Sequence, residues 1–441
     1  MNKIIDIASN KGLKEVEVYH KDVTSKEVRF ENNNLKNINT TQNSGIGLRG
    51  IYDNKLGTCS ITHDFDGEKI VDKLIESSKY SEPKIFEFPK PSEYSFPKMY
   101  DSSVEKVEVN KLVVDGQEMV NKIHQYDKNV LVTVSFGSDI DYTNITNSFG
   151  VKGEYKKSIF MAYLSGQVID GTSFIETSCY KYGIDGLYDI NAIVNTFIER
   201  LKIIRQEVGY SSQKTNVMFT PNAFVEILST ITQGVNGNAI EKGISPLCNR
   251  IGEKIFDEKI NIFDDPTIDN SVDSRPFDDE GVKTFKNCIF ENGVLKSYVH
   301  SLRTAIKTNS QPTGNGLRGS YDVLPSPRFN NMVIQHGNKS FEEMLEMMGN
   351  GIIIDEIIGL PMNNLINGDF GGNIHMGYKI ENGKIVGRIK NAVFNSNIYK
   401  MLKSDLIALS DLNYTHPIVN NILSITKQPC VLVKDMYITV K

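Results

Sequence analysis

Between Asp264 and Asn315 the chain cannot run straight for more than a few residues. It reads Asp264-Asp265-Pro266, then Asp273-Ser274-Arg275-Pro276-Phe277-Asp278-Asp279-Glu280-Gly281, then Glu291-Asn292-Gly293-Val294-Leu295-Lys296-Ser297-Tyr298, and last Thr313-Gly314-Asn315. Proline removes a backbone donor and fixes φ, while glycine and asparagine accept left-handed backbone. Punctuation this dense excludes a long helix and leaves short strands joined by tight turns. Acids, an arginine and turns converge here, so this is where a functional centre is sought first.

The rest of the chain alternates helices with strand groups. A first helix is expected over Ile4–Ala8, stopped at Gly12. Strands follow near Glu15–Tyr19, Glu27–Phe30 and Ile46–Tyr52, the last turning at Asp53-Asn54-Lys55 into Leu56–Thr62. Helical spacing marks Asp66–Lys79 and Ser103–Gln125. Between them Pro83, Pro89, Pro91 and Pro97 enforce an irregular connection. Strands are expected over Val130–Val134, Tyr142–Thr146 and Ser158–Val168, and an amphipathic helix over Asp189–Val208. After a polar break at Ser211–Lys214, Val217–Phe219 is a short strand. Thr220 then caps a helix with Pro221 at its first position. Ser340 and Glu343 form a capping box for one further helix, ending near Gly349. Irregular interspersion of this kind predicts an α+β fold. We expect two domains: an N-terminal α/β sandwich-like domain over residues 1–212 and a strand-rich C-terminal domain with a few helices over residues 213–441.

Net charge argues against nucleic acid as the main partner, because at -5 the chain lacks clustered cations. Its five cysteines are scattered and odd in number, without a Cys-x-x-Cys pair, which fits a reducing compartment. No apolar run reaches membrane-spanning length, and the N-terminus has no apolar core of signal-peptide length. A cytoplasmic location is the expectation.

Motifs narrow the chemistry. Gly-x-Gly-x-x-Gly occurs twice, at Gly45–Gly50 and Gly314–Gly319. A dinucleotide site needs it between a buried strand and a helix. Neither copy has that context, so tight backbone paths are the simpler reading. The histidines are His20, His63, His124, His300, His336, His375 and His416; no two lie one helical turn apart and none is followed by Glu. No local scaffold for a catalytic zinc exists. There is no Gly-x-Ser-x-Gly, and Cys248 reads as a packing cysteine in a helix. The acid pairs Asp264/Asp265 and Asp355/Glu356 read as turn decoration. Asp278–Glu280 is the exception: held between Pro276 and Gly281 beside Arg275, it could grip a peptide N-terminus or a partner's arginine. Val294–Val299 and Asn373–Ile380 each adjoin a Glu-Asn-Gly hairpin tip. Edge strands there could take up an extended peptide as an added strand.

Over about residues 215–400 the order and spacing of these marks resembles the C-terminal domain of the TldD/PmbA family; Gly45-Ile46-Gly47-Leu48-Arg49 is a weaker mark in the N-terminal half. The resemblance implies an intracellular metalloprotease of two related subunits. The TldD type binds zinc on a His-Glu-x-x-x-His helix, and the PmbA or TldE type lacks that motif. Here the corresponding helix falls within Pro221–Gln233 and contains no histidine, and Ser245-Pro246-Leu247 is similar to the PmbA type. The resemblance therefore implies a subunit without zinc or hydrolase activity of its own. It would pair with a zinc-bearing TldD-like subunit and act on unfolded peptides in peptide-antibiotic maturation or small-protein degradation. The alternative is a homodimeric peptide-binding protein with no proteolytic role. Arg275, Asp278, Asp279, Glu280, Thr313, Gly314 and Asn315 are the expected substrate or partner contacts; no catalytic or metal-binding residue is expected, and no nucleic acid or membrane.

Overall fold

A computed structural model describes residues 1–62, 66–170, 173–360, 364–413, 416–419, 422–424 and 428–440. His63 lies outside them. The class is α+β, as expected.

Long hairpins build the first half. β1 (Glu15–Glu31) pairs along its whole length with β2 (Asn34–Tyr52), which turns back into β3 (Lys55–Ile61). β4 (Leu131–Asn147) pairs with β5 (Lys152–Asp170), and β6 (Ser173–Gly183) follows on β5. The sheet runs β6-β5-β4-β1-β2-β3, and the strand Ile422–Ser424 lies parallel on the outer edge of β6, opposite Tyr180–Tyr182. The reading above broke β1 and β2 into pieces. Apart from the exposed Ile38, Lys36–Ser44 is polar on both faces, so no alternation shows, and pairing with β1 holds it extended. The missed tip is Asn32-Asn33, with φ of 49° and 72°, suited to a type I′ turn.

One face of this sheet is apolar. The helices α1 (Asn2–Asn10) and α2 (Gly67–Ser78) cover its β1–β3 end; α3 (Val109–Tyr126) and α4 (Ile190–Ile204) cover Val132, Phe136, Phe160, Leu164 and Ile175. The opposite face carries the alternate residues, among them Glu17, Tyr19, Arg49, Tyr163, Tyr180 and Tyr182.

In the second half, β7 (Gln213–Phe219) lies between Gly351–Ile358, parallel to it, and Val431–Val440, antiparallel. Ala392–Asn397 and Asp369–Glu381 continue the sheet, and Asp369–Glu381 pairs back onto Gly351–Ile358. Met218, Ile353 and Leu432 pack toward α4 and the capped helix Phe341–Met348. Val217, Phe219, Ile354 and Val431 pack toward the short helices α5 (Pro221–Ile227) and α6 (Ser229–Gly234). Helices therefore fill the space between the two large sheets.

Three expectations are corrected. Val294–Val299 shortens to a two-residue strand, Val294–Leu295. Asn373–Ile380 is an inner strand: Gly351–Ile358 takes one side, and Ala392–Asn397 at Asn373 and Lys384–Arg388 from Tyr378 take the other, so among the described residues only Ile374–Gly377 lack a second strand. Cys248 is half-buried in a turn outside any helix. Both Glu-Asn-Gly tips do have positive φ at Asn and Gly.

Candidate functional site

The glycine motifs meet. Gly45 and Gly47 lie on the polar face of β2, where Tyr321 packs directly on them; a Cβ at Gly47 would collide with the Tyr321 carbonyl. Gly316 passes equally close to the Glu280 carboxylate. The arginines of the two motifs then converge on one acid. Glu17 accepts from Arg49 Nε at 2.9 Å and Nη2 at 2.6 Å, and from Arg318 Nη2. Arg49 Nη1 donates to Glu280 at 2.9 Å, and the Leu302 N–H donates to the other Glu280 oxygen at 2.7 Å. All four charged side chains are buried.

The acidic turn is built into the same junction. Asp278 accepts the N–H groups of Glu280, Val282 and Gly316 at 2.8–3.0 Å. Asp279 accepts from the Tyr19 hydroxyl at 3.1 Å and the Arg318 N–H at 2.7 Å, and Arg275 approaches it at 3.7 Å. Asn315 donates to Asp264 at 2.6 Å, and Thr313 accepts the His300 N–H at 2.7 Å. Burial, and then the charge of Glu280, push the Asp278 carboxyl well up; burial pushes Asp264 up to about 6. The structure thus brings the seven singled-out residues into one neighbourhood. Asp278, Asp279, Glu280, Gly314 and Asn315 are buried there, and Arg275 and Thr313 partly so, against the N-terminal sheet.

The accessible surface lies at the other end of the same sheet face. Tyr180 and Tyr182 of β6 line a cleft of about 460 Å³ with Val225, Leu228, Ser229 and Thr232, which form one flank of α5–α6. Asp273, Asn330, Asn331, Met332 and Gln428 complete the lining, and among the described residues the buried hydroxyl of Ser229 has no partner. Burial pushes both tyrosines up to about 12, so each remains a neutral donor.

One arginine fixes the two walls. Arg200 of α4 is wholly buried. Its Nε donates to Thr177 of β6 at 3.1 Å, Nη1 to the Ile418 carbonyl at 2.8 Å, and Nη2 to Asp355 at 2.7 Å. Asp355 accepts the Thr220 hydroxyl at 2.7 Å, and Thr220 caps α5. Asp355 is thus in a strand and holds a buried ion pair, correcting the turn reading of that pair. Glu356, beside it, stands 3.7 Å from Arg200 and 3.8 Å from His375 Nε2. Burial, with Asp355 adjacent, pushes Glu356 up to about 7, and burial pushes His375 down. Sequence reading passed over Arg200 and β6. The available signals were a charge on the apolar stripe Phe197, Leu201, Ile204, and the alternation of Ile175, Thr177 and Cys179.

Does the cleft suit a metal? Val225, Leu228, Ser229 and Thr232 offer no zinc ligand of the usual kinds, and Asp273 is a single carboxylate on the cleft's lining, too few for a zinc site. Among the described residues no three His, Cys, Asp or Glu side chains are grouped closely enough to hold an ion. The donor set does not fit zinc.

This fold is shared with known proteins. Residues 16–79 match the PmbA/TldA metallopeptidase domain 1, and residues 212–440 the PmbA/TldA metallopeptidase C-terminal domain. An uncharacterised protein of Methanocaldococcus jannaschii is 31% identical, over 93% of this chain and 95% of its own. A metalloprotease PmbA homolog of Buchnera aphidicola is 24% identical over 90% and 89%. The crystal structure of TldE from Thermococcus kodakarensis superposes with a TM-score of 0.88 at 23% identity, covering 100% of this chain and 99% of that one, which shows a common fold. The chain belongs to the PmbA/TldD metallopeptidase family. Within it the chain is of the PmbA, or TldE, type, since it has no His-Glu-x-x-x-His stretch.

Proposed function

We propose that this protein is the PmbA/TldE-like subunit of a TldD/TldE-type protease. It is a cytoplasmic component without zinc or hydrolytic activity of its own, and it holds unfolded peptides for a zinc-bearing TldD-like subunit. The supporting observation is the flank of α5–α6. It borders a cleft roomy enough for side chains of an extended peptide, yet presents Val225, Leu228, Ser229 and Thr232. Such a surface can hold apolar side chains and hydrogen-bond a backbone, but offers no Lewis acid, so the activated water must come from the partner. Peptide-antibiotic precursors and small degradable proteins are the substrate class.

The seven residues of the acidic turn and its neighbour loop serve contact indirectly on this reading. They lock the C-terminal half onto the N-terminal sheet and so set the shape of the wall offered to peptide and partner. On this reading the chain divides at residues 212 and 213, with β1–β6 in the N-terminal domain and the second large sheet together with α5 and α6 in the strand-rich C-terminal domain. Among the described residues no helix is long and apolar enough to cross a membrane.

Co-expression with the TldD-like protein of the same cell tests this. The expected result is co-elution and faster hydrolysis of an unstructured peptide than by the zinc subunit alone. Separate elution with no added proteolysis overturns it, and peptide binding by the isolated chain would then favour a homodimeric peptide-binding protein.

A further inference from the structure

A second cavity, of about 480 Å³, lies at the opposite end of β6. Phe174 of β6 forms one wall, and Asn373, His375, Arg388, Lys390 and Asn391 supply its polar lining; among the described residues no carboxylate lines it. Glu207 stands behind both cations, accepting from Arg388 Nη2 at 2.7 Å and pairing with Lys390. Arg388 Nη1 also donates to the Phe174 carbonyl, at 3.5 Å. Arg388 is only 5% exposed, and its buried Nε has no hydrogen-bond partner among the described residues. A guanidinium has five N–H groups, and leaving a buried one unused is costly unless a ligand completes the set. Ile374 and Ile389 make the remaining wall apolar.

Position supplies the rest. Phe174, Tyr180 and Tyr182 project from the same face of β6, because strand residues two apart share a face. Phe174 is six residues from Tyr180, about 20 Å along a strand. An extended peptide of about six residues spans from this cavity to the cleft beside α5–α6.

We propose that the Arg388 cavity binds a carboxylate attached to an apolar group, and that its natural source is the free C-terminus of the peptide held along β6. This rests on the peptide-holding reading above. It adds a direction, with the C-terminal end at Phe174 and the preceding residues running toward Tyr182. Arg is suited to the task, since its planar fork meets a carboxylate with two parallel hydrogen bonds.

Fluorescence anisotropy on the full chain tests it, using one labelled, unstructured decapeptide ending in Phe, as the free acid and as the C-terminal amide. The free acid should bind at least tenfold more tightly. Asn391→Asp places a carboxylate in the lining without removing Arg388; Asn391 is exposed, and Asp tolerates its φ of 52°. That variant should melt like the parent and lose the preference, as should Arg388→Gln if it folds. Equal affinity of acid and amide for the parent chain overturns the proposal. If neither peptide binds, the peptide-holding reading fails, and calorimetry with N-acetylphenylalanine decides the cavity alone. Binding that Asn391→Asp abolishes keeps the carboxylate site with a small organic acid as its source; no binding overturns it too.

Discussion

Glu17 of the first strand and Glu280 of the acidic turn hold the same guanidinium, that of Arg49, from opposite halves of the chain. Two long-separated segments are joined there by charge-assisted bonds out of reach of solvent. Such a junction costs desolvation to form, so it adds less to stability than its bond count suggests, but it is expensive to break by halves. Arg49→Met leaves two buried carboxylates with Arg318 alone. We expect a loss of about 3–5 kcal/mol, read by denaturant unfolding. Double replacement of Arg49 and Glu17 by Met should cost less than Arg49→Met alone.

Gly47→Ala tests the packing of Tyr321 on β2. The new methyl group meets a backbone carbonyl, which cannot swing aside as a side chain can. A loss of about 1–3 kcal/mol is expected in thermal melts. Gly319→Ala is the control: it would meet only the Arg328 tip, at 3.9 Å, and should change stability little.

Glu356 predicts a pH dependence. Its folded value of about 7 lies above that of a free glutamate. Between those values the folded state binds more protons than the unfolded one, so this residue's contribution declines as pH rises from about 4.5 to 7. Glu356→Gln cannot ionise. It should therefore gain stability over the parent at pH 8 and gain little at pH 5, by about 1–2 kcal/mol given partial exposure and the Arg200 charge nearby. An equal effect at both pH values would show that Glu356 is ionised throughout.

Val225 is half-exposed on the cleft flank. Val225→Glu should leave the melting temperature nearly unchanged, since surface changes fall within about 0.5 kcal/mol. It should weaken binding of an apolar unstructured peptide several-fold in anisotropy titrations. Unchanged affinity would remove the cleft from the peptide path.

Much of the local structure was legible. Thr220-Pro221 and Ser340…Glu343 are start signals that act within one helical turn, and both helices begin where those residues say. The Glu-Asn-Gly tips turn as expected because positive φ is a property of those residues themselves. The missing histidine in Pro221–Gln233, which places the chain in the PmbA type, is a matter of sequence alone.

Placement was decided by tertiary structure. In the sequence Asp278, Asp279 and Glu280 read as a rigid acidic turn open to a peptide or a partner, until Arg49, Arg318 and Tyr19 arrive from elsewhere in the chain and burial makes them a junction. Arg200 looks like one charge on an amphipathic helix until Asp355, Thr177 and the Ile418 carbonyl surround it. Short-range backbone preferences are written in neighbouring residues. The worth of a charge is set by the dielectric and partners around it, and those exist only once both sheets have closed on the helices between them.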